Sequence, residues 1–430
     1  MATGSARECA FPQGLLLGEH DMGRFPAVAA AMGASRIAAA VAGVLLIAGG
    51  PAAAQERPAD LQEVPPVPTD FTPDKLPWGD WDFTGIWPHE QMQQGGILFQ
   101  RPPQYGNHAW VNDEEFALRL EAARQQDGNF TAATETGIGT AGTAGLAQWF
   151  LAYGMGKRSS LLVDPADGQL PALTPEGQRL FEEGRSGWVP GQHYDWVSDF
   201  DTWDRCITRG FPASMFPNRY NNSFRVFQSP GSITILLEML GRRVIPIVEG
   251  PEAARAWPDA PESWMGNSVA YWDDRTLVIE TKNIVSGDGV THDPHARSAA
   301  PVIVTMIGGA PFNTIAMSDK ARTVERLTMI GPDAIMHELT YSDPEIFTVP
   351  WTARTQWTRD EDYVSYEYAC HEGNYAIRDY ISASRGQREN EAAGIVEQVT
   401  AENDDRGRFL EVFDWDPGTG PRQVFGAGGN

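Results

Sequence analysis

Three pairs of short apolar runs, each joined by a turn of a few residues, dominate the second half of the chain. Ser223–Gln228 and Ile233–Leu240 flank Ser229-Pro-Gly-Ser232. Val269–Trp272 and Thr276–Thr281 flank Asp273-Asp-Arg275, and Arg322–Met329 and Ala334–Tyr341 flank Gly331-Pro-Asp333. Successive side chains on a strand point to opposite faces, so a period of two broken by Pro, Gly and Asp is the pattern of β-hairpins. Turns this short cannot lead to a parallel neighbour, which takes about a dozen residues or more. The runs Phe347–Thr358 and Tyr363–Cys370 predict two further strands. Open strand edges invite pairing with other chains, so consecutive hairpins are expected to curl. The expected fold is mainly β: an antiparallel meander closing into a barrel-like, lipocalin-like or strongly bent sheet with peripheral helices. An α/β fold with a parallel sheet is the alternative, because helical patterns precede the hairpins.

Those patterns are Val111–Arg124, with an acidic first turn and apolar residues at Phe116, Leu120 and Ala123, and Leu173–Glu183, with Thr174 as N-cap and Pro175 at the first helical position. The glycine-rich stretch Gly137–Gly145 lacks the Lys-Ser/Thr ending of a phosphate-binding loop and reads as a plain loop. Arg36, the apolar run Ile37–Ala48 and the small residues up to Ala54 have the arrangement of a cleaved secretory signal, preceded by an extension. The apolar run falls short of the ~20 residues of a membrane span. The expected organisation is a signal region at 1–54, a Pro-rich lead-in at 55–77, one β-rich domain at 78–390, and an acidic, Gly-rich tail at 391–430 that begins with a last helix. A periplasmic or secreted location follows, with no stable membrane insertion once the signal is removed.

Charge narrows the partners. The chain carries a formal charge of −24, which repels phosphate backbones and anionic lipid surfaces, so nucleic acid is not an expected partner. Of three cysteines, Cys9 lies in the signal region. Cys206 and Cys370 remain as an even pair in an oxidising compartment, and a disulfide between them is expected. A catalytic Cys370 thiolate assisted by His371 is the other reading; adjacent side chains on a strand point apart, which disfavours it.

Several short pieces share their spacing with a known group. Arg205-Cys-Ile207, Asn221-Asn222, Gln228-Ser-Pro-Gly231, Glu238, Gly266-Asn-Ser268, Asp274–Thr281, Glu325-Arg326, Asp343-Pro344, Pro350-Trp-Thr352 and Tyr368-Ala-Cys-His-Glu-Gly-Asn-Tyr375 together resemble a family of exported bacterial proteins without an assigned activity. The resemblance covers about 80–385 and implies a shared fold and a shared site, with no catalytic role to carry over. Asn267 stands where that pattern has Asp. Gly85-Ile-Trp87 resembles the opening strand of lipocalin-like barrels.

Read for chemistry, Tyr368–Tyr375 is the densest stretch. His371-Glu372 is the leading acid/base candidate, since an imidazole exchanges protons near neutral pH and a carboxylate beside it fixes its protonation. Glu238 follows, a carboxylate in the apolar run Ile235–Leu240 that must be paired or line a cavity, with Arg242 or Arg243 as the ordinary partner. Arg205, Asn221, Asn222, Asn374, Tyr375 and Trp264 are the candidate ligand contacts. His292 and His295, with His337 as a distant third, are weak metal candidates. They lack the ligand count of a zinc site, and no metal or cofactor is expected. Serine-hydrolase elbows, dinucleotide fingerprints and haem motifs are absent from the sequence. The expected function is an exported cofactor-independent acid/base enzyme, a lyase, isomerase or hydrolase, on a small organic ligand in an aromatic-lined cavity. A non-catalytic, lipocalin-like binding protein is the alternative.

Overall fold

The computed structural model describes residues 57–88, 99–121, 157–183, 193–200, 202–217, 223–286 and 315–395, all within one compact unit, 50–430. They form a ten-stranded mixed sheet curled into a half-barrel. The strands are β1 (Gly85–Pro88), β2 (Leu162–Asp164), β3 (Ser223–Ser229), β4 (Ser232–Leu237), β5 (Arg242–Val248), β6 (Asn267–Asp273), β7 (Thr276–Lys282), β8 (Arg322–Gly331), β9 (Ala334–Ser342) and β10 (Trp351–Thr358). Their order is β1-β3-β4-β5-β6-β7-β8-β9-β10-β2. The three predicted hairpins are β3–β4, β6–β7 and β8–β9, each antiparallel in register.

One joint departs from the expected meander. β5 and β6 run parallel, pairing at Ile247↔Ala270 and Val248↔Tyr271. Residues 249–266 between them include the short helix Pro251–Arg255 and supply the length that a parallel crossover needs. The run Tyr363–Cys370 is a second departure: it alternates like a strand but pairs with none. Its inward side chains instead bond to Glu238 and Ser223. The last helix is Ala376–Ala392, ahead of the position expected at the start of the tail. Helical residues at 113–121 and Pro175–Glu183 match the two expected helices. Thr174 caps the second, its hydroxyl oxygen accepting from the Gly177 amide at 3.0 Å. The signal region, Gly137–Gly145 and the tail beyond 395 lie outside the described residues.

The inner face of the sheet holds the core. Along β8 the buried phase is Thr323, Glu325, Leu327 and Met329, and along β9 it is Ile335, His337, Leu339 and Tyr341. Trp87, Trp351, Trp357, Phe99, Phe216 and Tyr341 fill the concavity. Trp351 stacks on Tyr341 at 5.0 Å and meets the edge of Phe99 at 5.4 Å. These rings pack on one another, as aromatic pairs do in offset and edge-to-face contact. The two ends of the curl approach through Phe224 and Trp357, 4.6 Å apart, and through the Asp360 amide, which donates to the Ile86 carbonyl at 3.0 Å.

Candidate functional site

Two polar assemblies stand out, one anticipated from the sequence and one not. The first is the strap that follows β10. Tyr363 donates its phenol to Glu238 Oε2 at 2.9 Å, and the same oxygen accepts from the Ser223 amide and hydroxyl, each at 3.0 Å. Ser365 meets Ser223 hydroxyl to hydroxyl at 3.0 Å. Cys370 is disulfide-bonded to Cys206, with Cα atoms 5.8 Å apart, which rules out the free-thiolate reading. Asn374 donates to the Asp204 carbonyl at 2.6 Å and to Cys206 Sγ at 3.3 Å. The strap is thus pinned at Glu238, Ser223, Cys206 and Asp204.

This arrangement places the predicted residues. Glu238 is half-buried and tied to the strap through Tyr363. His371, Glu372 and Tyr375 are exposed on the strap, Asn374 is turned toward the Cys206 loop, and Arg205 is half-buried within that loop. Trp264 lies against the hydrophobic core. Asn221, Asn222, His292 and His295 lie outside the described residues. Among the described residues there is no group of three or more His, Cys, Asp or Glu side chains that could hold a metal ion.

The second assembly lies inside the half-barrel. Arg243 does not partner Glu238 as expected; its side chain shares the inward phase of Ile245 and meets Glu325 on β8. Nη1 donates to Oε1 at 3.0 Å and Nη2 to Oε2 at 2.5 Å, with both side chains 1 % exposed or less. Nη2 also donates to the hydroxyls of Ser268 and Thr281, each at 3.1 Å. The Phe211 ring lies 4.5 Å from the guanidinium, a distance at which the ring face attracts the cation. On the other side of the carboxylate, His337 Nε2 is 3.0 Å from Glu325 Oε1, and its Nδ1 is 3.3 Å from the Thr355 hydroxyl. Side chains from β5, β6, β7, β8, β9 and β10 are linked in one chain of hydrogen bonds.

The electrostatics of that chain keep Glu325 ionised. Burial alone would raise the Glu325 carboxyl, but the Arg243 charge and the His337 hydrogen bond together bring it down to about 2. An ionised carboxylate only accepts, so His337 turns an Nε2–H toward Glu325. Nδ1 is then the proton acceptor of the neutral ring. The Thr355 hydroxyl can donate to that nitrogen, or accept from it once it is protonated. Both ring nitrogens of His337 thus have a partner, and the partner of Nδ1 is a group that can either donate or accept.

The sequence did carry a signal for this group. Arg243, Glu325 and His337 each sit on the buried phase of a strand, the argument applied above to Glu238 alone. No family model, curated protein or solved structure matches the chain.

Proposed function

We propose that the protein is an exported acid/base enzyme, a lyase, isomerase or hydrolase acting on a small organic ligand, with His337 and Glu325 as its proton-handling couple. One observation carries the reading: a buried imidazole has one nitrogen fixed by a carboxylate and the other facing a hydroxyl that satisfies both of its protonation states. Buried ionisable groups are costly and tend to gather where function requires them. Arg243 anchors the carboxylate, and Thr355 relays or orients the proton. Export is supported by the Cys206–Cys370 bond, since disulfides persist in oxidising compartments.

The test is a mass-spectrometric screen of pooled small organic compounds for conversion by the wild-type chain, repeated with His337→Gln. Glutamine still offers Glu325 an N–H donor but cannot accept a proton. Conversion is expected to fall by about 10²–10⁴-fold in the variant, the usual worth of a general base. A folded variant that converts the same compound at the wild-type rate removes the couple. A compound retained but never converted by wild type returns the binding-protein reading.

A further inference from the structure

We infer that the interior cluster is built for a small carboxylate, whose oxygens accept from Arg243 Nε and the Thr323 hydroxyl. The inference rests on the reading above only in placing the ligand at that cluster. Both atoms are fully buried and have no hydrogen-bond partner. Such atoms are rare in folded proteins and cost about 1–3 kcal/mol each. Thr323 faces the same part of the interior as Arg243, because its cross-strand partner on β7 is Thr281, whose hydroxyl is 3.1 Å from Arg243 Nη2. The surroundings are otherwise apolar: Ala270, Ile279 and Leu327 are wholly buried on the same face. Arg Nε can only donate and a hydroxyl can donate, so the complementary group is an acceptor oxygen.

Charge decides between a neutral carbonyl and a carboxylate. The Arg243–Glu325 pair cancels, so a bare anion in this interior would be uncompensated. His337 removes that penalty. Glu325 from β8 is the charged group touching its ring, Arg243 from β5 lies beyond that carboxylate, and the neighbours from β10 are Thr355 and the Trp357 ring. The proton that Nδ1 can accept supplies one positive charge. A monocarboxylate therefore enters with one proton, and a neutral amide of the same shape gains nothing from that uptake.

Calorimetric titration of the full chain with benzoate and with benzamide tests this directly. Benzoate is expected to bind at least tenfold more tightly than benzamide, with about one proton taken up when buffers of different ionisation enthalpy are compared. Thr323→Val removes the partnerless hydroxyl at nearly constant volume. That variant should be at least as stable as wild type without ligand, yet bind benzoate about tenfold more weakly. Equal affinity for benzoate and benzamide, binding of neither, binding without proton uptake, or unchanged benzoate affinity in Thr323→Val overturns the inference. These readouts need no turnover. Failure of the catalytic reading in His337→Gln thus leaves a binding result intact, and the reverse also holds.

Discussion

Replacing Glu325 by Gln isolates the electrostatic core of the half-barrel with a change of one atom. In the native chain, the Glu325 carboxyl falls from 4.5 to about 2 because the Arg243 charge and the His337 hydrogen bond outweigh its burial. At 1.36 kcal/mol per pKa unit, this corresponds to about 3 kcal/mol favouring the folded, ionised state. A second estimate starts from Arg243. Its guanidinium is 1 % exposed, and leaving such a charge buried without its partner costs about 3–5 kcal/mol. The two estimates agree, so Glu325→Gln should lose about 3–5 kcal/mol in urea unfolding at pH 7. The sign of the pH dependence follows from the depressed value. The stabilisation is fully present above the unfolded value near 4.5 and is lost as pH falls toward 2. The gap between wild type and variant should therefore narrow from about pH 5 downward. The paired change Arg243→Met with Glu325→Leu should recover most of the loss, because it removes both charges together. A variant within about 0.5 kcal/mol of wild type at pH 7, or a gap constant across the acid range, would refute the reasoning.

Two further outcomes follow from the strap. Cys206→Ser opens a loop spanning a sequence separation of 164 and should cost about 5 kcal/mol by loop-closure entropy, read as a lower urea midpoint. Alkylation of the native protein should label neither Cys206 nor Cys370 before reduction. Tyr363→Phe removes one of the bonds to Glu238, worth about 1.5–3 kcal/mol for a charged acceptor. Faster limited proteolysis within 363–375 is the expected readout, and an unchanged cleavage rate would show that the phenol does not hold the strap.

The hairpins were legible because their information is local: alternation and turn residues lie within about twenty positions of one another. The parallel joint was not, because nothing within 249–266 shows that β6 returns alongside β5 rather than opposite it. Tyr363–Cys370 misled for a physical reason. Its alternation is real, with Tyr363 and Ser365 turned in and Val364 and Tyr366 exposed, but the inward side chains bind Glu238 and Ser223 instead of joining a sheet. The disulfide was legible in the even pair of cysteines left beyond the signal-like N-terminal pattern. Arg242 and Arg243 both read as ordinary partners for Glu238 because they lie four and five positions from it. The strand phase that directs Arg243 to Glu325, 82 positions away, becomes decisive only when the register across four strands is known.

The parallel joint divides the sheet into two leaves, β1 with β3–β5 and β6–β10 with β2, each paired internally by antiparallel hydrogen bonds. Few backbone pairs cross from one leaf to the other within the sheet, while one shared hydrophobic core and the contacts that close the curl also join them. Two register pairs join β5 to β6 and Arg243 reaches Ser268, Thr281 and Glu325, while outside the strands Cys206 is bonded to Cys370. Reduction removes the covalent tie and acid weakens the ionic one, while the ladders within each leaf are left intact. Under both conditions together the leaves keep only the shared core, the β5–β6 pairs and the contacts that close the curl, which is the state in which exchange of a leaf between two molecules is expected to be easiest. The disulfide thus guards against exchange between molecules, and size-exclusion profiles in acid with a reductant are where exchanged species are expected to show first.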